Sequence, residues 1–294
     1  MKIIDCFMYF DEDMLLDIRL NTLNKFVSKF IICEATFKHN GLKKKLNFDI
    51  NKFQKFRDKI IYIVLDEQPK NLKKIFDSDS EAIKKDKIID NGQIRETFQR
   101  NFCFNEIKKF PREDLIIIND LDEIPNLDNF RYNSKITIFK QKMFYYKLNL
   151  EYPNFDWMGS KICKIKHLQG PQWLRSIKTK KYPFWRMDIL FSKKKYANLR
   201  FVDSGGWHFT NIMTPEIMDK KMRSFSHHLE YEESGYNPSK LKTLIQNKKV
   251  LYNHGVDKKD SNKWQEGKNL QSIDLNNLPE YIGNNRIKFR DWID

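Results

Sequence analysis

The sequence predicts an α/β protein in which helices flank a mainly parallel sheet. Apolar, β-branched runs, typical of strands buried on both faces, recur through the first 120 of the 294 residues. Segments with helical spacing of apolar residues separate them, which is the order of a βαβ fold. The runs end beside acidic residues, and ligands bind at the carboxyl edge of such sheets. The composition agrees, since 40% hydrophobic and 32% charged residues are typical of a globular protein.

The first half of the chain is predicted to alternate strands and helices. Acidic residues 11–13 are expected to cap the first helix. A lysine- and aspartate-rich stretch is expected to form a surface excursion before the second long helix. The predicted elements are a strand over 1–10, a helix over 14–26, strands over 30–33 and 59–65, a short helix over 53–56, the excursion over 69–90, a helix from about 92 to 110 and a strand over 115–118.

The second half of the chain is expected to mix strands and helices. Aromatic alternation predicts long strands over 135–139 and 142–150. Thr214 followed by Pro215 is a signal for the start of a helix, which is predicted to end near residues 227–228.

The most informative stretch follows the predicted strand over 115–118. Asp120 and Asp122 are two positions apart, so in an extended segment their side chains point the same way and can share one divalent cation. Glu123 adds a third carboxylate, and Pro125 is expected to stop further strand pairing. The alternative is an acidic turn without a ligand, but the preceding buried strand favours a metal–nucleotide site.

A second informative stretch is Gly205-Gly206-Trp207-His208. Paired glycines let the backbone pass close to a ligand, Trp207 offers a stacking face, and His208 can bind a cation in its neutral form. We expect His208 to lie within a few ångströms of Asp122. The alternative is that Trp207 and His208 only fill the junction between the sheet and the second half.

Three further residues are candidates because of their positions. Glu34 follows the second predicted strand and would lie at the ligand edge, although such a residue can also be a loop contact. Arg95 and Arg100 lie on the helix that leads into the acidic strand, where they either approach the same cleft or form surface pairs.

Charge and cysteine usage narrow the class of protein. The net charge is +15, but the lysines are scattered along the sequence, so no nucleic-acid partner is expected. Contact with an anionic membrane surface is compatible with this positive charge. The four cysteines show no CxxC pair, which favours buried thiols in a reducing compartment. No apolar run approaches the roughly 18 residues of a membrane span, and Asp5 interrupts the N-terminal run, so neither a signal peptide nor a transmembrane segment is expected. A cytoplasmic location, with at most peripheral membrane contact, is therefore expected.

Seven blocks occur in order along the chain: Asp5-Cys6-Phe7, Glu12 with Leu15 and Ile18-Arg19-Leu20, Glu34-Ala35-Thr36, Phe98-Gln99-Arg100-Asn101, Asn119 to Pro125, Gly205 to Phe209, and Lys221 to His227. Together they resemble glycosyltransferase family 17, the bisecting N-acetylglucosaminyltransferase family, over roughly residues 3 to 230. The resemblance implies a GT-A-like fold, a UDP-sugar donor, Mn²⁺ or Mg²⁺ as cofactor, and inversion at the anomeric carbon. Eukaryotic members carry an N-terminal membrane anchor and this sequence starts at its first strand, so a bacterial or viral enzyme that builds a surface glycan is expected.

With this resemblance the candidate residues take roles in an inverting transferase. The metal ligands are expected to be Asp122, Asp120 and His208, because a metal must neutralise the departing diphosphate. Donor binding is assigned to Asp120, Arg95, Arg100 and Trp207. The general base remains open among Asp203, Glu123 and Glu34, with Asp203 preferred.

The predicted function is transfer of N-acetylglucosamine from a UDP-sugar to a glycan or glycolipid acceptor. One domain is predicted over 1–250, with a nucleotide-sugar half over 1–130 and a more mixed acceptor half over 131–250, followed by a polar C-terminal tail over 251–294. Two other classes stay open, namely a metal-dependent nuclease or nucleotidyltransferase and a non-catalytic carbohydrate-binding protein. Salt-sensitive phosphodiester cleavage would identify the former, and sugar binding without donor hydrolysis the latter.

Overall fold

The computed structural model of the chain describes residues 1–183, 185–189, 191–224, 228–251 and 268–294. Within these ranges the chain forms strands and helices, which are numbered separately in chain order. The strands are β1 (Ile3–Met8), β2 (Val27–Ala35), β3 (Ile60–Leu65), β4 (Leu115–Ile118), β5 (Glu123–Pro125), β6 (Ile136–Phe139), β7 (Gln141–Tyr145), β8 (Leu150–Trp157), β9 (Lys161–Lys164), β10 (Leu199–Val202), β11 (Gly206–Thr210) and β12 (Gln271–Ser272). The helices are α1 (Asp13–Leu23), α2 (Glu81–Phe102), α3 (Phe104–Ile107), α4 (Pro171–Arg175), α5 (Pro215–Met222), α6 (His228–Glu233), α7 (Pro238–Gln246), α8 (Glu280–Asn284) and α9 (Arg286–Phe289).

A seven-stranded sheet with the order β10-β6-β9-β4-β1-β2-β3 forms the centre of the fold. Strands β1 to β4 run parallel, so their carboxyl ends lie on one edge, as predicted. Strand β9 is antiparallel to both β4 and β6, and the sheet is therefore mixed rather than fully parallel.

Strand β4 shows why this sheet is buried on both faces. Leu115 and Ile117 pack into the hydrophobic cluster on one face, and Ile116 and Ile118 pack into the cluster on the other. All four side chains are at most 2% exposed. Alternate side chains of this strand enter different hydrophobic clusters, so each face of the sheet must be covered by helices or by a second sheet. This arrangement confirms the mixed α/β class.

A second sheet, with the order β12-β8-β7-β11-β5, carries part of the site. The expectation that Pro125 stops pairing is wrong, because β5 pairs antiparallel with β11 and Pro125 faces Gly206. Proline is tolerated there because β5 is the edge strand and needs a partner on one side only. Gly206 has φ +131°, and a Cβ there would lie 2.1 Å from the Ile124 carbonyl oxygen, so this glycine serves the strand pairing and not a ligand.

Some predicted boundaries differ from the observed ones. Helix α2 begins at Glu81, inside the predicted excursion, because Ser80 accepts a hydrogen bond from Ile83 N and caps it. The predicted strand over 142–150 is divided where Tyr146 adopts φ +62°. Thr214 caps α5 as predicted, but the helix ends at Met222. Residue 227 lies outside the described residues.

The C-terminal residues 268–294 pack on the domain and do not form the predicted tail. Strand β12 pairs with β8, and helix α8 contacts α1. Leu278, Ile282 and Phe289 are at most 5% exposed and join the main core. These apolar residues are spread among polar ones, so the polar composition of the segment did not indicate that it contributes to the core. Residues 252–267 lie outside the described ranges.

The two predicted halves share both sheets. Strands β6, β9 and β10 from the second half complete the central sheet, and β5 from the first half joins the second sheet. No helix within the described residues is long and apolar enough to cross a membrane.

Candidate active site

A cavity of about 350 Å³ lies at the carboxyl edge of β1, β2 and β4, where β8, β11 and α5 face it. Its lining combines cations, carboxylates and aromatic rings. The cations are Lys38, Lys44, Arg100 and Lys221; the carboxylates are Glu12, Glu96, Asp120 and Asp122; the aromatic residues are Tyr9, Phe10, Phe37 and Trp157; and His39 and His208 add imidazoles. The cavity therefore meets the sheet where the acidic stretch was predicted to bind a ligand.

The acidic stretch is held by a buried arginine on α1. Arg19 donates to both carboxylate oxygens of Asp5 at 2.8 Å, and both side chains are fully buried. The same guanidinium donates to three carbonyl oxygens of the turn after β4, those of Asp120 (3.3 Å), Leu121 (3.0 Å) and Glu123 (2.8 Å). Residues 119–122 thus form a turn and not an extended segment. The extended backbone that was predicted to point the side chains of Asp120 and Asp122 the same way is therefore absent.

One side of this turn forms an ion-pair network that we call the anchored cluster, comprising Arg100, Asp120, Glu123 and Arg175. Asp120 Oδ1 accepts from Arg100 Nη2 at 3.0 Å, and Asp120 Oδ2 accepts from Arg175 Nη2 at 2.8 Å. Arg175 also binds both Glu123 oxygens, at 2.6 and 3.1 Å. Each carboxylate in the cluster is therefore neutralised by at least one guanidinium.

The anchored cluster changes the predicted role of Asp120. Burial alone would raise the pKa of Asp120, but Arg175 and Arg100 lower it well below its usual range. The side chain remains 35% exposed, so solvent screens part of this effect. Both oxygens of Asp120 accept from arginines, so this residue is an ion-pair partner in the structure, and its role as a shared metal ligand stays a prediction.

Glu123 was a candidate base, and the structure places it behind the cavity wall. It is fully buried and accepts from the Asp120 backbone N–H at 2.9 Å and from Trp157 Nε1 at 2.5 Å, in addition to Arg175. A Cβ at Gly159 would lie 2.0 Å from Glu123 Oε1, so this carboxylate occupies the space that a side chain would need. Glu123 positions its neighbours and does not reach the cavity.

The other side of the turn is the ligand wall, formed by Glu12, Asp122, His208 and Lys221. His208 Nε2 lies 3.6 Å from Asp122 Oδ2, so the predicted proximity is present. Pairing of β11 with β5 produces it, because His208 is opposite Glu123 and Phe209 N donates to the Asp122 carbonyl at 2.9 Å.

His208 is held by stacking and electrostatics. Its ring stacks on Trp157, with centroids 4.8 Å apart and planes at 27°. Burial would lower the pKa of His208, but Asp122, followed by Glu123 and Asp120, raises it. Within the described part of the chain, His208 Nδ1 is buried without a hydrogen-bond partner.

Glu12 and Lys221 complete the ligand wall. Glu12 was expected to cap α1, but its side chain accepts no cap hydrogen bond and instead binds Lys221 Nζ at 2.8 Å. Burial would lower the pKa of Lys221, whereas Glu12 and then Asp122 raise it. The pair joins the start of α1 to α5 across the cavity.

The side chains of the cavity supply part of a ligand set for a divalent cation. Within the described ranges, no three His, Cys, Asp or Glu side chains are placed to bind one metal ion. Asp122 and His208 remain as an oxygen and a nitrogen donor on one wall. This pair leaves positions for substrate phosphates and water, and its imidazole nitrogen suits a transition metal such as Mn²⁺ better than Mg²⁺, which prefers oxygen ligands.

The other base candidates do not line the cavity. Glu34 is fully buried and accepts from Lys44, from Tyr62 OH at 2.8 Å, and from backbone N–H groups of residues 47 and 48. These four donors make it a support for the loop after β2. Asp203 is 82% exposed and pairs with Lys140 at 2.7 Å. The preference for Asp203 is therefore not supported by its position.

Two predicted donor-binding residues also lie outside the cavity lining. Trp207 is on the opposite face of β11 from His208, and its indole N–H donates to Asn277 O at 2.7 Å. Arg95 supports the loop after β2, donating to His39 O at 3.2 Å. Trp157, which no sequence pattern singled out, has the aromatic position next to His208.

The remaining prediction concerned the family, and a family model for glycosyltransferase family 17 matches residues 1–292. The chain belongs to glycosyltransferase family 17. This membership favours glycosyl transfer over the nuclease and carbohydrate-binding alternatives.

Mammalian relatives in this family are distant. The chain is 24% identical to the β-1,4-mannosyl-glycoprotein 4-β-N-acetylglucosaminyltransferase of Rattus norvegicus over 227 residues, which covers 69% of the chain and 38% of that protein. The Homo sapiens protein of the same name is 23% identical over 227 residues, covering 69% of the chain and 39% of that protein. The chain thus spans about two fifths of the length of these relatives.

Proposed function

We propose that this family 17 chain transfers N-acetylglucosamine from a UDP-sugar to a glycan or glycolipid, with inversion at the anomeric carbon. The observation that carries the proposal is the Asp122–His208 wall facing cationic side chains across one cavity at the carboxyl edge of parallel strands. The name of the mammalian relatives supports N-acetylglucosamine as the sugar. The parallel order of β1 to β4 supports a GT-A-like nucleotide-binding half.

The diphosphate of the donor would bind near Lys38. Among the described residues, Lys38 Nζ donates to Ser224 Oγ at 3.3 Å and forms no ion pair with a carboxylate. Lys44, Lys221 and Arg100 also line the cavity, but each is paired with an acidic residue. Lys38 is therefore the cation whose charge is most available to a phosphate.

A divalent cation fits this charge balance. The lining contains four Lys or Arg and four Asp or Glu side chains, so it offers a diphosphate little net positive charge. Asp122 and His208 would hold Mn²⁺ or Mg²⁺, which when bound neutralises the charge of the leaving diphosphate. Trp157 would keep the His208 ring in place for this role.

We assign the general base to Glu12. Asp120 and Glu96 are bound by guanidinium groups, and Asp122 is assigned to the metal. This leaves Glu12, whose cation partner is the amine of Lys221 and not a guanidinium. The acceptor hydroxyl oxygen attacks the anomeric carbon opposite the diphosphate as Glu12 takes the proton. The bond between the anomeric carbon and the phosphate oxygen breaks, and UDP leaves with that electron pair.

A donor screen tests this proposal. Purified protein with Mn²⁺ and a panel of UDP- and GDP-sugars should hydrolyse UDP-N-acetylglucosamine faster than the others. Asp122→Asn should abolish the hydrolysis, while Asp203→Asn, an equal change at an exposed carboxylate outside the cavity, should retain it. Equal rates for both variants, or no hydrolysis of any donor by the wild type together with no transfer to a glycan mixture, would contradict the proposal.

A further inference from the structure

The segment 178–195, here called the basic–aromatic loop, concentrates positive charge. It contains six lysines, one arginine and one aspartate, so its net charge is +6 in a chain of +15. The aspartate, Asp188, is itself paired with Arg186 at 2.9 Å and with Lys195 at 2.7 Å. The charge of the loop is therefore almost entirely positive.

The same loop exposes large apolar side chains. Five large hydrophobic residues among those described are at least 70% exposed, and three of them lie within seven positions of this loop. They are Trp185 (70%), Met187 (71%) and Phe191 (85%). Exposed apolar side chains that are close along the chain and bounded by charged residues favour an interaction surface, whereas single exposed ones need no explanation.

The loop is closed at its base and attached to α4. Lys178 N donates to Lys194 O at 2.8 Å, which brings the two ends together. Trp173 of α4 donates from its indole N–H to Lys193 O at 2.7 Å. Exposed lysines thus flank the apolar residues on both sides, and helix α4, which carries Arg175 of the anchored cluster, holds the base of the loop.

We propose that the basic–aromatic loop docks the protein on an anionic lipid bilayer. Trp185, Met187 and Phe191 would enter the headgroup region, and the flanking lysines would contact acidic headgroups. Charge complementarity selects this partner. A second copy of the same loop would bring two net charges of +6 together, and a nucleic acid would use the lysines but leave the apolar cluster exposed to water.

Vesicle flotation with the full chain tests the apolar part of the proposal. The wild type should float with vesicles of phosphatidylcholine containing phosphatidylglycerol, and much less with phosphatidylcholine alone. Trp185→Ser with Phe191→Ser should weaken binding by about tenfold or more, since an inserted aromatic side chain contributes this much. Ile287→Ser, which changes an equally exposed apolar residue on α9, should leave binding unchanged.

The charged part is tested by a second matched pair. Lys193→Gln with Lys194→Gln should weaken binding roughly thirtyfold, because each lysine near an anionic surface contributes about fivefold. Lys108→Gln with Lys109→Gln makes the same charge change at exposed positions after α3 and should have little effect. All of these variants should retain donor hydrolysis, so this proposal can fail while the proposed function holds.

Four results would overturn the proposal. The first is no binding of the wild type to anionic vesicles, and the second is vesicle binding that both loop variants retain. The third is tight binding of an RNA oligonucleotide that only the lysine variant loses, without vesicle binding. The fourth is a dimer in analytical ultracentrifugation that Trp185→Ser with Phe191→Ser dissociates, which would assign the loop to an interface between copies.

Discussion

Asp120 and Asp122 lie two residues apart in one turn, yet they belong to the anchored cluster and the ligand wall, respectively. Asp120 is bound by arginines from α2 and α4, which occupy both of its oxygens. Asp122 faces His208 at 3.6 Å across the cavity edge. The difference arises because Arg19 holds the intervening carbonyl groups and turns the backbone between the two aspartates.

One acidic motif can thus contain a residue that supports the fold and another that faces the ligand site. In the anchored cluster, permanent guanidinium charges neutralise the fully buried Glu123 and the 35% exposed Asp120, so removing Arg175 leaves a buried charge uncompensated. The ligand wall lines the same cavity, but among the described residues Asp122 and His208 have no guanidinium partner, so changes there should affect ligand binding more than folding.

Removal of Arg175 should have the largest effect on stability. Arg175→Met leaves Glu123, which is fully buried, without its cation and should lower the free energy of unfolding by about 3–5 kcal/mol. Urea denaturation measures this change. Arg290→Met, which alters an arginine whose side chain is 77% exposed, should cost at most about 1 kcal/mol. Equal losses for the two variants would mean that the anchored cluster is not a structural support.

Removal of the Glu12 carboxylate should reduce turnover more than stability. Glu12→Gln should reduce kcat by at least about 100-fold, the lower end of what a general base contributes. It should cost less stability than Arg175→Met, because Asp122 still compensates part of the Lys221 charge. Steady-state kinetics on the proposed donor and acceptor measures this. Glu67→Gln, at an exposed position outside the cavity, is the matched control. Retained kcat in Glu12→Gln would move the base to another carboxylate.

The support of the anchored cluster should depend on pH through Lys161. This amine donates to the carbonyls of Arg175 and Ile177 at 2.6 and 2.7 Å, and burial, with help from the Arg175 charge, lowers its pKa to about 7. Between pH 7 and the unfolded pKa of about 10.4 the unfolded chain holds a proton that the folded chain has released, so stability rises with pH in this window.

Comparison with Lys161→Met isolates this contribution. The wild-type free energy of unfolding should rise by about 1–2 kcal/mol relative to that variant between pH 7 and 9. Urea denaturation at several pH values measures the difference. A constant difference across this range would show that Lys161 titrates alike in both states.

Replacement of Trp157, which contacts both Glu123 and His208, should have the smallest effect on stability. Trp157→Phe removes the hydrogen bond to Glu123 but keeps a ring that can stack on His208, so stability should fall by about 1 kcal/mol while donor affinity is retained. Thermal unfolding and calorimetric titration with UDP measure the two quantities. A large loss of affinity with unchanged stability would place Trp157 in direct contact with the donor.

The sequence was sufficient for the features that depend on local pattern. Buried strand runs predicted β1 to β4 and their common edge, since alternation and strand length follow from the residues themselves. The spacing of Asp120 and Asp122 located the right turn. The proximity of His208 to Asp122 was also predicted, because a histidine after two glycines was expected to close the site.

The contacts that depend on distant partners were missed. Arg175 lies in a five-residue helix with no distinctive pattern, 52 residues from Glu123. Glu12 looks like a capping residue because its partner Lys221 is 209 positions away. A usable signal did exist for Asp5 and Arg19, since a charge inside an apolar strand and another on the apolar face of a helix suggest a buried pair.

Calorimetric titration with UDP, with and without Mn²⁺, tests the division between the two regions most directly. The wild type should bind UDP tightly only with Mn²⁺, Asp122→Asn should lose this metal-dependent affinity, and Asp203→Asn should keep it, with all three proteins folded by circular dichroism. Undiminished Mn²⁺-dependent binding by Asp122→Asn would contradict the assignment of the ligand wall as the donor site.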